Sequence, residues 1–90
     1  MNIAELIAIA SVRSGKKKKE LAEEMGHKGQ TRLSRISSGE AAPEASEIVY
    51  LAQAAQLHPI ETLAEIESER HPEFAKIWKA VVSKGTWLNT

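Results

Sequence analysis

The chain has no cysteine. That single absence excludes a disulfide framework, thiolate-ligated zinc and a thiol nucleophile, and it fits a reducing compartment. Aspartate is missing too, which leaves glutamate as the sole side-chain carboxylate for acid–base or metal chemistry. The histidines, His27, His58 and His71, are scattered without metal-ligand spacing and are expected on turns and at the surface. Ser37-Ser38 stands in no Gly-x-Ser-x-Gly elbow. No catalytic residue, metal site, cofactor or small-molecule ligand is therefore expected, and the chain does not read as an enzyme. Aromatics are confined to Tyr50, Phe74, Trp78 and Trp87. None alternates with basic residues, so stacking on single-stranded nucleic acid is not indicated. Tyr50 and Phe74 are expected in the core; Trp78 and Trp87 are expected either there or over a dimer interface. Long apolar runs are lacking as well. The stretch from Ile3 to Val12 is broken by Glu5 and preceded by no basic residue, so neither a secretory signal nor a membrane span is indicated. A cytoplasmic protein with no membrane partner is expected.

What is present is a chain of 90 residues, 42% hydrophobic and 27% charged, which suits one soluble globular core. A chain this short buries about 60–65% of its unfolded surface, so its stability is modest and pairing with a second copy would help it. The net charge is zero, but it is unevenly spread. Residues 1–39 carry eight basic and four acidic side chains, a net of +4, whereas residues 40–90 carry four basic and eight acidic, a net of −4. Such a split provides one face for an anionic partner, since phosphate binding requires local rather than total positive charge.

Apolar spacing follows the helical period throughout and never alternates with period two, so an all-α fold without strands is predicted. Ile3, Leu6, Ile7 and Ala10 form the first stripe, ended by Ser14-Gly15. Leu21, Ala22 and Met25 form the second, closed by Gly26; Leu33 and Ile36 mark a third, closed by Gly39. Pro43, Pro59 and Pro72 are each expected in the first turn of a helix. The fourth helix would turn Ile48, Leu51, Ala52 and Ala55 inward. The fifth would bury Ile60, Leu63 and Ala64, and the sixth Phe74, Ile77, Trp78 and Val81.

Residues 16–38 therefore read as two short helices joined by a turn. Ala22 is small enough for a close crossing, and Leu21, Met25, Leu33 and Ile36 seal the pair onto the core. Gln30, Thr31, Arg32, Ser34 and Arg35 are left on or near the outer side of the third helix. These side chains suit base edges and phosphates: arginine reads guanine, glutamine reads adenine, and the threonine methyl packs on thymine.

The stretch resembles the lambda-repressor-like helix-turn-helix family, of the Cro and xenobiotic-response-element type. The features that carry the resemblance are Leu21-Ala22, Gly26, Leu33-Ser34-Arg35-Ile36, Gly39, Pro43 and Leu51-Ala52…Leu57. It covers about residues 5–65, and short regulators of bacterial viruses and mobile elements are similar overall. The resemblance implies a five- to six-helix DNA-binding domain at 1–67, followed by a C-terminal helix and tail at 68–90 that can serve dimerisation. It also implies that the third helix enters the major groove. Two features depart from the pattern. The interval from Gly26 to Gly39 is one residue longer than usual. Counting back from Gly39 makes Gly29 the N-cap and puts Gln30 and Thr31 at the first reading positions; counting forward shifts them by one. The start of the second helix is Lys16-Lys17-Lys18-Lys19, where cations oppose the helix dipole. This run is either a solvated surface or a clamp on the DNA backbone, in which Lys17, Lys18 and, from the turn, Lys28 and His27 would meet phosphates. Arg32 and Arg35 can also pair with Glu23, Glu24 or Glu40.

The expected function is sequence-specific binding of double-stranded DNA by a homodimeric transcriptional regulator, more often a repressor. The alternative is a protein-interaction adaptor or antitoxin-like module of the same fold, with its partner on the acidic half.

Overall fold

The computed structural model describes residues 1–84, and its regular elements are all helical. Each begins or ends for a local chemical reason. Helix α1 (Ile3–Ser14) starts where the Asn2 side chain accepts the Glu5 N–H at 2.9 Å. It ends at Gly15, in the left-handed region. Helix α2 (Lys18–Glu24) has Lys17 as its N-cap, whose N–H donates to the Glu20 carboxylate at 3.2 Å. Its end is a Schellman turn: Gly26 has φ +91°, and the His27 N–H reaches back to the Ala22 carbonyl at 2.9 Å. Helix α3 (Thr31–Ser38) closes in the same way on Gly39 at φ +86°, with the Glu40 N–H on the Arg35 carbonyl. The three glycines singled out from the sequence as helix ends thus sit where a left-handed residue is needed.

Helices α4 (Ala45–Ala54), α5 (Pro59–Arg70) and α6 (Ala75–Lys84) complete the order, with a 3₁₀ turn at Pro72–Phe74 ahead of α6. Pro59 occupies the first turn of α5 as expected. Pro43 does not open α4. The Glu47 carboxylate accepts the Glu44 N–H at 2.8 Å, which makes Glu44 the N-cap and leaves Pro43 one residue outside. There Pro43 and Ile48 hold the two positions of a hydrophobic staple, both buried. The division expected at residue 67/68 lies within α5.

The core is formed by Leu6, Ile7 and Ala10 from α1, Leu21 and Ala22 from α2, and Leu33 and Ile36 from α3. Ile48, Leu51 and Ala55 join them at α4, and Ile66 from α5. The apolar residues that the spacing turned inward on the first four helices are buried, except Ile3 and Met25, which are half-buried against the core; the buried Glu47 of α4 was not among those predicted. On α5 the buried side chains are Thr62, Ala64 and Ile66, whereas Ile60 and Leu63 are only half-buried. Helix α5 packs between α4 and α6, so a wider arc of it is covered than one stripe. Tyr50 is half-buried against the core rather than within it. Phe74 was expected inside but is 50% exposed. Ala75, Trp78 and Val82 line the groove where α6 meets α5. Phe74, Ile77 and Val81 lie one position earlier, about 100° around the helix, and face outward. Trp87 lies outside the described residues. Among the described residues no helix is long and apolar enough to cross a membrane.

Candidate nucleic-acid interface

Helix α3 is short, and only two of its side chains, Leu33 and Ile36, are buried. Their spacing fixes which way the rest point. Thr31, Ser34, Arg35 and Ser38, at i, i+3, i+4 and i+7, form an exposed stripe along the opposite side. Gln30 continues it at the N-terminal end, also exposed. The N-cap of α3 is Gln30, one residue later than the Gly29 expected from the glycine spacing; its carbonyl accepts the Ser34 N–H at 2.9 Å. The additional residue of the interval is taken up in the connection, which runs over residues 25–30. This is longer than the roughly three- or four-residue turn of a tight helix-turn-helix.

Two open depressions flank the stripe. One is lined by His27, Lys28 and Gly29 from the connection with Thr31, Arg32 and Arg35 from α3. The other is lined by Gln30, Thr31, Ser34, Arg35 and Ser38. Thr31 and Arg35 border both and form the ridge between them; Glu40 is the acidic side chain at the edge of both. Lys28 is exposed on the connection. Lys17 is exposed at the N-cap of α2, and Lys18 is half-exposed one residue on. The side chains of Lys17, Lys18, Lys28 and Arg35 make no ion pair among the described residues. Lys16 is different, since its ammonium is paired with Glu24.

Arg32, expected to face a nucleic acid, is engaged within the protein. Its Nε donates to Glu47 Oε2 at 3.2 Å, and one Nη2 donates to Glu47 Oε1 at 2.7 Å and to the Ala42 carbonyl at 3.1 Å. Neither Glu23, Glu24 nor Glu40 is its partner. His27, expected on the surface or at a phosphate, has Nε2 3.0 Å from Glu47 Oε2. Glu47 is 6% exposed, and its burial alone would raise its pKa. The hydrogen bonds from Arg32, the Glu44 N–H and His27 outweigh that burial and hold the carboxyl down at about 2. A second cross-link ties α2 to α4: the Tyr50 hydroxyl donates to Glu24 at 2.5 Å, on the carboxylate that also holds Lys16. Lys16 and then Tyr50 lower the Glu24 pKa.

Glu47 is the residue that reading along the sequence missed. Its cue is the Glu44-x-x-Glu47 spacing at a helix start, which marks a carboxylate folded back on the N-terminus. Nothing local marks it as the partner of Arg32. The chain matches no protein-family model, no curated protein and no solved structure.

Proposed function

We propose that this chain is a lambda-repressor-like, sequence-specific DNA-binding regulator, a cytoplasmic repressor that acts as a homodimer and reads the major groove with α3. The observation that carries the reading is the outward stripe of Gln30, Thr31, Ser34 and Arg35, whose one charged member, Arg35, makes no ion pair among the described residues. An α-helix with its side chains is about 10–12 Å across, which suits a major groove about 12 Å wide. Arg35 reads a guanine bidentately, Gln30 an adenine, and Thr31 packs its methyl on a thymine. Lys17, Lys18 and Lys28 hold phosphates and supply affinity without sequence information. Arg32 braces α3 from behind instead of meeting the DNA. Two copies pair through the outward face of α6, so their half-sites lie about 34–36 Å apart.

Selection of bound duplexes from a random pool, followed by gel shifts, tests the reading. Arg35→Ala is expected to abolish sequence preference. The double substitution Lys17→Ala, Lys18→Ala is expected to weaken binding to all duplexes alike and to reduce the log–log salt slope by about 2. Variants that both behave as wild type would refute the assignment.

A second reading is favoured by one observation, the apolar surface left on α1 and α6. Val12 is 81% exposed, and Phe74, Ile77 and Val81 are exposed together on one side of α6; a contiguous apolar patch marks a protein-binding face. An adaptor or antitoxin-like module would show tight capture of a protein partner, with no heparin retention and no salt-sensitive affinity for random duplex.

A further inference from the structure

The connection ahead of α3 is long, and a long connection leaves the entry of the helix loosely specified unless something pins it. The helix–helix packing of α3 is chiefly against α1 and α2, through Leu33 in its first turn and Ile36 in its second. That packing is apolar and non-directional, so it sets which side faces inward without aiming the first turn. The directional hold on the first turn and the connection comes from one carboxylate on α4. Arg32, in the first turn, gives Glu47 two hydrogen bonds at 3.2 and 2.7 Å. His27, at the start of the connection, is 3.0 Å from it. The Glu44 N–H at 2.8 Å fixes the carboxylate to its own helix.

An arginine–carboxylate fork is directional, because two parallel donors must meet two oxygens. A buried pair of this kind adds little net stability over an apolar pair of the same volume. What it adds over such an apolar pair is geometric. Thr31 directly precedes Arg32 and Arg35 lies about one turn beyond it, so an error in the first turn displaces the residues that border both depressions.

Resting on the DNA reading above, we infer that Glu47 is a positioning residue: through Arg32 and His27 it sets the entry angle of α3, and so governs sequence selectivity without touching the nucleic acid. Loss of its charge should loosen α3 and blur base reading, while leaving the exposed lysines free to bind any duplex.

The test compares the full chain and its Glu47→Gln variant on the duplex selected by the wild type and on a scrambled duplex of the same composition, well below the melting temperature of each. The ratio of the two dissociation constants is expected to fall about 10- to 100-fold, the equivalent of one good bidentate base contact, with affinity for the scrambled duplex changed less than about threefold. Amide hydrogen exchange at residues 27–35 is expected to accelerate in Glu47→Gln and not in Glu24→Gln, which breaks the other cross-link. A folded Glu47→Gln variant with the wild-type ratio, or one that loses both affinities equally, overturns the inference. Should Glu47→Gln fail to fold, His27→Ala decides, since it removes one arm at a half-exposed ring. Unchanged exchange and an unchanged ratio in that variant are equally fatal. A wild-type chain that binds no duplex refutes the DNA reading and with it any role in selectivity; the exchange measurement then reports by itself whether Glu47 holds α3.

Discussion

Replacing Glu47 by glutamine should cost stability in a way that depends on pH, and both size and sign follow from its surroundings. The carboxyl is held down from 4.5 to about 2 in the folded chain. At about 1.4 kcal/mol per unit, that gap corresponds to about 3 kcal/mol of stability from this one ionisation. A folded-state pKa below the unfolded one means that the contribution is complete above about pH 4.5. It is lost as pH falls from there towards 2. Glutamine keeps the size of the side chain and one acceptor oxygen but cannot be ionised, so Glu47→Gln lacks the contribution at every pH. Urea unfolding followed by circular dichroism, on both proteins from pH 7 down to pH 3, measures the difference. At pH 7 the wild type should be more stable by about 3 kcal/mol, a large share of the 5–15 kcal/mol typical of a whole domain. By pH 3 a little more than half of that difference should be gone, leaving about 1.4 kcal/mol, because the wild-type carboxyl then takes up protons on unfolding. Other carboxylates titrate alike in both proteins and cancel. A difference that stays constant from pH 7 to pH 3, or that widens in acid, refutes the reasoning: it would mean that the Arg32 pairing contributes no more than its burial costs.

Tyr50 is the only tyrosine, so the ultraviolet absorbance of phenolate reports it alone. Burial, and then the Glu24 carboxylate, push its pKa up to about 12. The titration midpoint should lie well above 10, and Glu24→Gln should bring it down; a midpoint near 10 in the wild type would contradict the contact. Gln56 is the one non-glycine residue at positive φ among the described residues, at φ 60°, and it ends α4 with the Leu57 N–H on the Ala52 carbonyl. Gln56→Gly should relieve about 1–2 kcal/mol of left-handed strain, offset in part by the roughly 0.5–1 kcal/mol of extra backbone entropy that glycine loses on folding, and raise the melting temperature by a few degrees; a lower melting temperature would count against it. Ser37 Oγ is buried and has no hydrogen-bond partner among the described residues. Ser37→Ala should therefore stabilise the protein by about 1 kcal/mol, and calorimetry showing destabilisation would reveal a partner for that hydroxyl.

Much of the candidate site was legible before the fold. The burial of Leu33 and Ile36 and the exposure of Gln30, Thr31, Ser34 and Arg35 follow from one helical period anchored on two apolar residues. The ends of α2 and α3 follow from Gly26 and Gly39, because a left-handed residue is costly for anything with a Cβ. The site was misjudged where a charge was involved. Arg32 has the same type and the same helix as Arg35, yet one lies against Glu47 and the other is exposed without an ion pair. Their spacing from the apolar stripe predicts a difference in exposure but no partner.

The sequence by itself determined the helical class, most of the inward apolar residues of the first four helices and the left-handed closures at Gly15, Gly26 and Gly39. Each of these depends on neighbours within about one turn, which a reader of the chain can see together. The tertiary structure alone decided that Glu47 gathers Arg32 and His27, that Glu24 gathers Lys16 and Tyr50, and that Phe74 faces outward while Trp78 covers α5. These depend on how helices dock, and docking brings together groups far apart along the chain. A buried carboxylate attracts whichever cations arrive within hydrogen-bonding distance, and that distance exists only once the core has closed.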